Sequence, residues 1–319
     1  MTTPQLAVPA RPIALNINFD SLSECLRLSG VSVDHKSFVD PCFDRVMDRF
    51  LALADEYGAP LTVYTIGRDL LSPHHRRRVA EWAAAGHEIG NHTWSHPQML
   101  SNMRLDETRR EIKQAHEIIG DAVGVAPRGF IAPAWSTSGF VVQVLTELGY
   151  RYDTSLTPSW AQLLALLKLR MNSRSKAPLP LLRRDLPGLL WGARRPYLAT
   201  VARPWRPNTD GLPVLPLPTG RFRLPIWHTM SFIISGPRWE TLLKGALVLN
   251  PAFYYLMHPL DLLDPDTDLV GLPTAVRKVE RIMVPLKTKL ALLRRSLDLM
   301  AEQAEFVTME KLAEATFAR

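Results

Sequence analysis

Apolar and polar positions along the chain follow two alternating periods. Residues 13–20, Ile-Ala-Leu-Asn-Ile-Asn-Phe-Asp, read as a buried strand that ends on a polar residue. Residues 43–57 have helical spacing, with Val46, Phe50, Leu53 and Ala54 on one face. Residues 61–66 form a second apolar run, closed by Gly67, and residues 76–85 a helix stopped by Gly86. The same alternation continues through a strand at 88–91, a helix at 106–119 stopped by Gly120, and a strand at 129–132. A helix at 140–148, stopped by Gly149, and a strand at 150–153 complete this half.

Strand–helix alternation over residues 12–153 implies parallel strands joined by crossover helices. Further on, strands are expected at 214–217, 221–224 and 252–257, and a helix at 239–249. A long interrupted helical stretch follows at 273–300, with Pro273 placed where a helix can begin. Phe306-Val307 and a helix at 309–315 close the chain. About seven strand–helix units favour one α/β barrel over two domains. In such barrels the active site lies at the C-terminal ends of strands, where Asp20, His92, Ala132-Pro133, Asp153 and His258 fall.

Composition narrows the class. The chain has 319 residues, 46% hydrophobic and 22% charged, which excludes disorder as a whole. Two cysteines, Cys25 and Cys42, exclude a disulfide scaffold and fit a reducing compartment. No apolar run is long enough to span a membrane, and the first residues lack the charged-then-apolar pattern of a signal peptide. The expectation is therefore a cytoplasmic protein.

The net charge of +7 is unevenly placed: residues 160–223 hold 12 Lys plus Arg, two acids and nine of the 26 prolines. Leu pairs alternate there with Arg183-Arg184 and Arg194-Arg195, and the prolines prevent one long helix. Short amphipathic pieces with Arg and Trp suit an anionic membrane surface. The same pattern fits an ordinary lid packed on the barrel mouth. No nucleic-acid motif is present, and nucleic acid is not expected as a partner. The segment at 157–212 is set apart as a basic insertion within one barrel at 12–319.

Candidate chemistry starts with His92-Thr93-Trp94-Ser95-His96. Two histidines at i and i+4 can reach one metal from one side of a helical turn, or can simply be surface residues. Asp20 could complete a carboxylate–histidine set, or cap a turn. His258, at the end of an apolar strand, could be a general acid or a half-buried structural histidine. His87 and His228 read as structural.

These motifs resemble the polysaccharide deacetylase family, the NodB-homology metal-dependent carbohydrate esterases. The matching residues are Asn18-Phe19-Asp20-Ser21, His92-Thr93-Trp94-Ser95-His96, Ile131-Ala132-Pro133-Ala134-Trp135, Tyr152-Asp153-Thr154-Ser155 and Leu256-Met257-His258-Pro259. The resemblance implies a distorted (β/α) barrel and metal-assisted hydrolysis of an N- or O-acyl group. It implies Asp20, His92 and His96 as metal ligands and His258 as the acid. Asn18, Ala132, Pro133 and Trp135 are expected to touch substrate. Zinc is the expected metal, with cobalt, nickel or manganese tolerated by such ligands.

Two positions depart from the family pattern. With Asp20 as the metal ligand, the preferred alignment, Asn18 stands where a second acid, the base, is usual; with Asp20 as the base, Ser21 would stand at the ligand position; and Ile131 stands where an arginine beside that base is usual. The two losses are consistent, because an arginine without its acid would be an unpaired buried charge. Asp153 and Glu24 are the nearest substitutes for the base. Alternatively, a metal can bring the pKa of water near 7 without a strong base.

A weaker similarity is to the deformylase branch that acts on formamido-arabinose carried on undecaprenyl phosphate. Together these readings lead to an expected metal-dependent hydrolase. It removes an acetyl or formyl group from a lipid-linked amino sugar in cell-envelope glycan synthesis, peripheral to the inner membrane face. The alternatives are a catalytically silent barrel that binds glycan or lipid, and a deacylase of a small non-sugar amide.

Overall fold

The computed structural model describes residues 11–28, 39–164, 167, 182–226, 236–270, 272 and 280–318. Their strands form one nine-stranded sheet that curls into a half-barrel, the expected distorted (β/α) architecture. The strands are β1 Arg11–Phe19, β2 Leu61–Thr65, β3 Glu88–Asn91, β4 Gly129–Phe130, β5 Tyr152–Asp153, β6 Tyr197–Ala199, β7 Leu212–Val214, β8 Phe253–Met257 and β9 Ala304–Val307. Their order is β6-β7-β5-β4-β3-β2-β1-β8. The first four residues of β1 pair with β9 and its last five with β2. All pairings are parallel except β6 with β7.

Alternation along β1 divides the core. Ile13, Leu15, Ile17 and Phe19 face the helical layer, packed with Phe43, Phe50 and Trp82. Ala14 faces the concave side with Tyr64, Ile131, Tyr152, Tyr254 and Leu256. Asn16 and Asn18 share that concave side by the same alternation. Two glycines make room for the tyrosines. A Cβ on Gly90 would stand 2.3 Å from the Tyr64 ring, and one on Gly129 2.0 Å from the Tyr152 hydroxyl. Tyr64 donates to Tyr152, which donates to the half-buried Glu88. The last helix, Met309–Phe317, closes the bottom: its first backbone N–H groups reach Thr62 Oγ1 at 2.8 Å and Glu88 at 2.9 Å.

Several expected boundaries move. The helix expected to stop at Gly120 runs from Leu105 to Val123 and ends at Gly124, whose φ is 81°. An internal glycine costs about 1 kcal/mol and a long amphipathic helix absorbs it. Residues 221–223 are not a strand but a 3-10 turn with Phe222 at φ 58°. The strands of that region are β6 and β7. The late helical stretch is broken at Pro285 into Glu280–Met283 and Leu286–Ala301; Pro273 lies outside the described residues. The described part of the 157–212 segment supplies β6, and its end starts β7. Tyr197, Ala199, Leu212 and Trp205 pack on Phe130 and Val141.

Candidate metal centre and its surroundings

Asp20 directly follows β1, and its backbone N–H turns back to the carbonyl of Asn18 at 2.8 Å. His92 follows β3, two strands away in the sheet. His92 and His96 do not lie on a helical turn, contrary to the simplest reading of their spacing. They sit in a loop in which Thr93 and His96 have φ of 66° and 60°. Left-handed residues other than glycine need outside support, and the loop has it. Asn91 Oδ1 accepts from Thr93 N at 2.7 Å, and Thr93 Oγ1 from His96 N at 3.2 Å. The Glu111 carboxylate accepts from Ser95 N and Oγ at 2.8 and 2.7 Å. Gly67 N and Arg68 N donate to the carbonyls of Thr93 and Trp94 at 2.9 and 3.0 Å.

This loop brings Nε2 of His92 and of His96 to 3.2 and 3.1 Å from the same oxygen, Oδ1 of Asp20. One ligand atom from each residue lies within 4.8 Å of the others. Asp20 Oδ1 and His96 Nε2 are buried, yet neither meets hydrogen-bond geometry with a partner among the described residues. Three ligand atoms converging on one point suit a divalent ion, and the set fits zinc or its neighbours. The far nitrogens are fixed as well. Nδ1 of His92 is 2.7 Å from the Ile131 carbonyl, and Nδ1 of His96 is 2.7 Å from Glu24. Burial alone would raise the Asp20 carboxyl, but the two imidazoles outweigh it and hold it well below the usual range. Burial would likewise lower His96, but Asp20 and Glu24 push it up to about 9.

The other expected residues are placed as follows. Asn18 is buried on the concave side, and its Oδ1 has no hydrogen-bond partner among the described residues; nor has either amide atom of Asn16. His258 follows β8, half-buried. Its backbone N–H donates to Asp261 at 2.7 Å, and Lys289 holds the turn through the Leu260 and Leu263 carbonyls at 3.0 and 2.7 Å. Met257 pairs with Ile17, so His258 is one register step on, level with Asn18. Asp153 is held by Ser155 N at 2.8 Å and by the Ser155 hydroxyl, which accepts from Ala132 N at 2.8 Å. Among the described interactions none joins Asp153 to Asp20, His92 or His96. Burial pushes its carboxyl up to about 6. His87 is structural: its Nδ1 accepts from Leu61 N. His228 lies outside the described residues.

Arg183 corrects the surface reading of the basic segment. It is 4% exposed and donates bidentately to Asp185 at 2.9 and 2.6 Å. It also donates to the carbonyls of Ala134 and Trp135 at 2.8 and 3.0 Å. Those two residues have φ of 47° and 52°. Asp185 in turn accepts from Thr137 N and Ser101 Oγ. Arg183 is therefore unavailable to a lipid headgroup; it clamps the Pro133–Trp135 turn. Sequence reasoning missed this clamp. Its one signal was an acid two residues on from an arginine in a segment nearly free of acids.

A polysaccharide deacetylase family model matches residues 33–152, which include both histidines. A peptidoglycan deacetylase of Helicobacter pylori is 31% identical over 108 residues, 34% of this chain and 36% of that protein. A peptidoglycan-N-acetylglucosamine deacetylase of Bacillus cereus is 44% identical over 57 residues, 18% of this chain and 20% of that protein. The chain thus spans about a third or less of the length of these relatives. The crystal structure of a Mycobacterium smegmatis protein assigned as a polysaccharide deacetylase superposes with a TM-score of 0.57 and 19% identity, over 100% of this chain and 95% of that one. Motif, matched segment and fold agree: residues 33–152 match the polysaccharide deacetylase family, and they lie in a fold similar to that of a protein assigned to it.

Proposed function

We propose that the protein is a metal-dependent hydrolase that removes an acetyl or formyl group from an amino sugar of an envelope glycan. The observation that carries this reading is the convergence of Asp20 Oδ1 and the two histidine Nε2 atoms, with Asp20 Oδ1 and His96 Nε2 buried and without another polar partner among the described residues. Asp20, His92 and His96 would hold the ion, most plainly zinc, which when bound acts as a Lewis acid toward an acyl carbonyl and acidifies water. His258, level with Asn18 on the adjacent strand's end, would give a proton to the leaving amine. Asn18 can accept or donate a hydrogen bond but cannot take a proton, so it serves as a contact to the acyl group or the attacking water. The Ala132–Trp135 turn, clamped by Arg183, forms the facing wall.

A lipid-linked substrate is the finer part of the proposal. Its support is the exposed apolar side chains of the basic segment: Trp160, Leu164, Leu182, Trp191 and Phe222 are exposed, as are Arg184 and Arg195 of the same segment. No helix among the described residues is long and apolar enough to cross a membrane, so such contact would be peripheral. Neutralising Arg184 and Arg195 should weaken binding to anionic vesicles; unchanged binding overturns the lipid reading.

The deciding experiment measures metal content and acyl release together. Wild type should carry one metal per chain and free acetate or formate from acylated amino-sugar oligomers. Asp20→Ala should lose both, and His258→Ala should keep the metal while turnover falls about 100-fold or more. Metal bound with no release from any glycan favours the second reading, a silent glycan-binding barrel, for which Asn18 and Ile131 at the usual acid and arginine positions speak. Release from small amides that persists without the basic segment favours a non-sugar deacylase.

A further inference from the structure

We propose that Glu24 is a positioning residue for the metal ligand His96, gripping Nδ1–H so that Nε2 is presented bare to the ion. The inference rests on the metal reading of the triad. The two nitrogens of His96 have distinct partners: Nε2 faces Asp20 Oδ1 at 3.1 Å and Nδ1 faces Glu24 Oε1 at 2.7 Å. A histidine ligand needs its metal-side nitrogen unprotonated, and an acceptor on the other nitrogen selects that tautomer. Gln98 Nε2 also approaches Nδ1, at 3.3 Å. A donor there would demand the opposite tautomer, but the shorter, charge-assisted contact to Glu24 prevails.

Glu24 is built for a fixed task. It is 1% exposed, in the first turn of the helix Leu22–Leu28, one helical turn after Asp20. A buried carboxylate is costly unless paired, and this one is paired twice. Arg27 donates to both oxygens, at 2.8 and 2.5 Å, and Arg68 pairs with Oε2. Arg68 comes from the turn after β2, whose backbone also pins the histidine loop at Thr93 and Trp94. A Cβ on the neighbouring Gly67 would stand 3.0 Å from the Trp94 ring and 2.8 Å from Ala115 Cα, so glycine permits the close approach to the loop and the helix beside it. One short segment therefore holds both the backbone of His96's loop and the acid behind its ring.

The same geometry removes Glu24 from contention as the missing base. It lies behind the imidazole, on the nitrogen turned away from the metal point.

The test is competition titration of zinc and cobalt against wild type, Glu24→Gln and Glu24→Ala. Glu24→Ala should weaken apparent affinity about 10- to 100-fold. Glu24→Gln, which keeps an acceptor of the same shape without the charge, should fall between them. The absorption bands of the cobalt form should shift in both variants, which a merely structural role would not produce. Thermal unfolding of the metal-free proteins checks the fold; if the Ala variant fails to fold, the Gln variant decides. Wild-type affinity and an unshifted cobalt spectrum in the variants overturn the role of Glu24 while leaving the triad intact. A wild type that binds no metal overturns both.

Discussion

Nδ1 of His92 lies 2.7 Å from the carbonyl oxygen of Ile131, so the residue at the family's arginine position orients a candidate metal ligand through its backbone. Its side chain has a separate place, fully buried among Tyr64, Tyr152 and Leu256 on the concave face. That division explains how the side chain can change without loosening His92.

Restoring the arginine alone should therefore be harmful. Ile131→Arg would bury an unpaired guanidinium, at a cost of about 3–5 kcal/mol. Adding Asn18→Asp should recover part of it, because both side chains face the concave interior and Asn18 Oδ1 has no partner to lose among the described residues. Urea unfolding of the two single variants and the double variant gives the coupling. Additive losses would mean that positions 18 and 131 do not meet.

The paired histidines should act as a unit toward metal. His92→Ala or His96→Ala should each reduce bound zinc from one per chain to none after dialysis, since two remaining donors make a weak site. Elemental analysis reads this directly. Stoichiometric metal retained by either variant would exclude the triad as the site.

Asp153 should leave a mark on stability rather than on metal. Burial raises its carboxyl to about 6 from an ordinary 3.8. The folded state then keeps a proton that the unfolded chain releases between about pH 4 and 6. In that window the native state binds more protons, so stability falls as pH rises, by of the order of 1–3 kcal/mol in total. Asp153→Asn can still accept from Ser155 and carries no titration. Its unfolding free energy should lose this downward slope relative to wild type. Parallel pH profiles for the two proteins would show that Asp153 is not so perturbed.

The barrel was legible because its strands bury one or both faces in short apolar runs and glycines end several helices. The triad was legible because strand ends collect side chains from distant sequence. What escaped reading was set by partners far along the chain. The His92–His96 loop looks helical by spacing alone; its left-handed Thr93 and His96 depend on Asn91, Glu111 and the 67–68 backbone. Glu24 was visible as a nearby acid, but which nitrogen it faces depends on the position of His96, 72 residues away. Arg183 was legible as charge, and only packing shows that the charge is neutralised inside.

Arg183 supports the last prediction. It satisfies two carbonyls in the left-handed Ala134–Trp135 turn and neutralises Asp185, itself buried. Arg183→Met would strand that carboxylate and both carbonyls, and should cost about 3–5 kcal/mol. Adding Asp185→Leu should recover part of the loss by removing the orphaned charge. Arg183→Lys keeps the charge but replaces a planar fork by a single point, so it cannot hold Asp185 and two carbonyls in one plane. In the Lys variant the turn should loosen while the metal donors, held by other loops, stay in place. The expected result is unchanged metal stoichiometry with a raised KM for acylated amino-sugar oligomers and a smaller change in kcat. Loss of metal in this variant would instead place Arg183 in support of the triad, and an unchanged KM would remove the turn from the substrate wall.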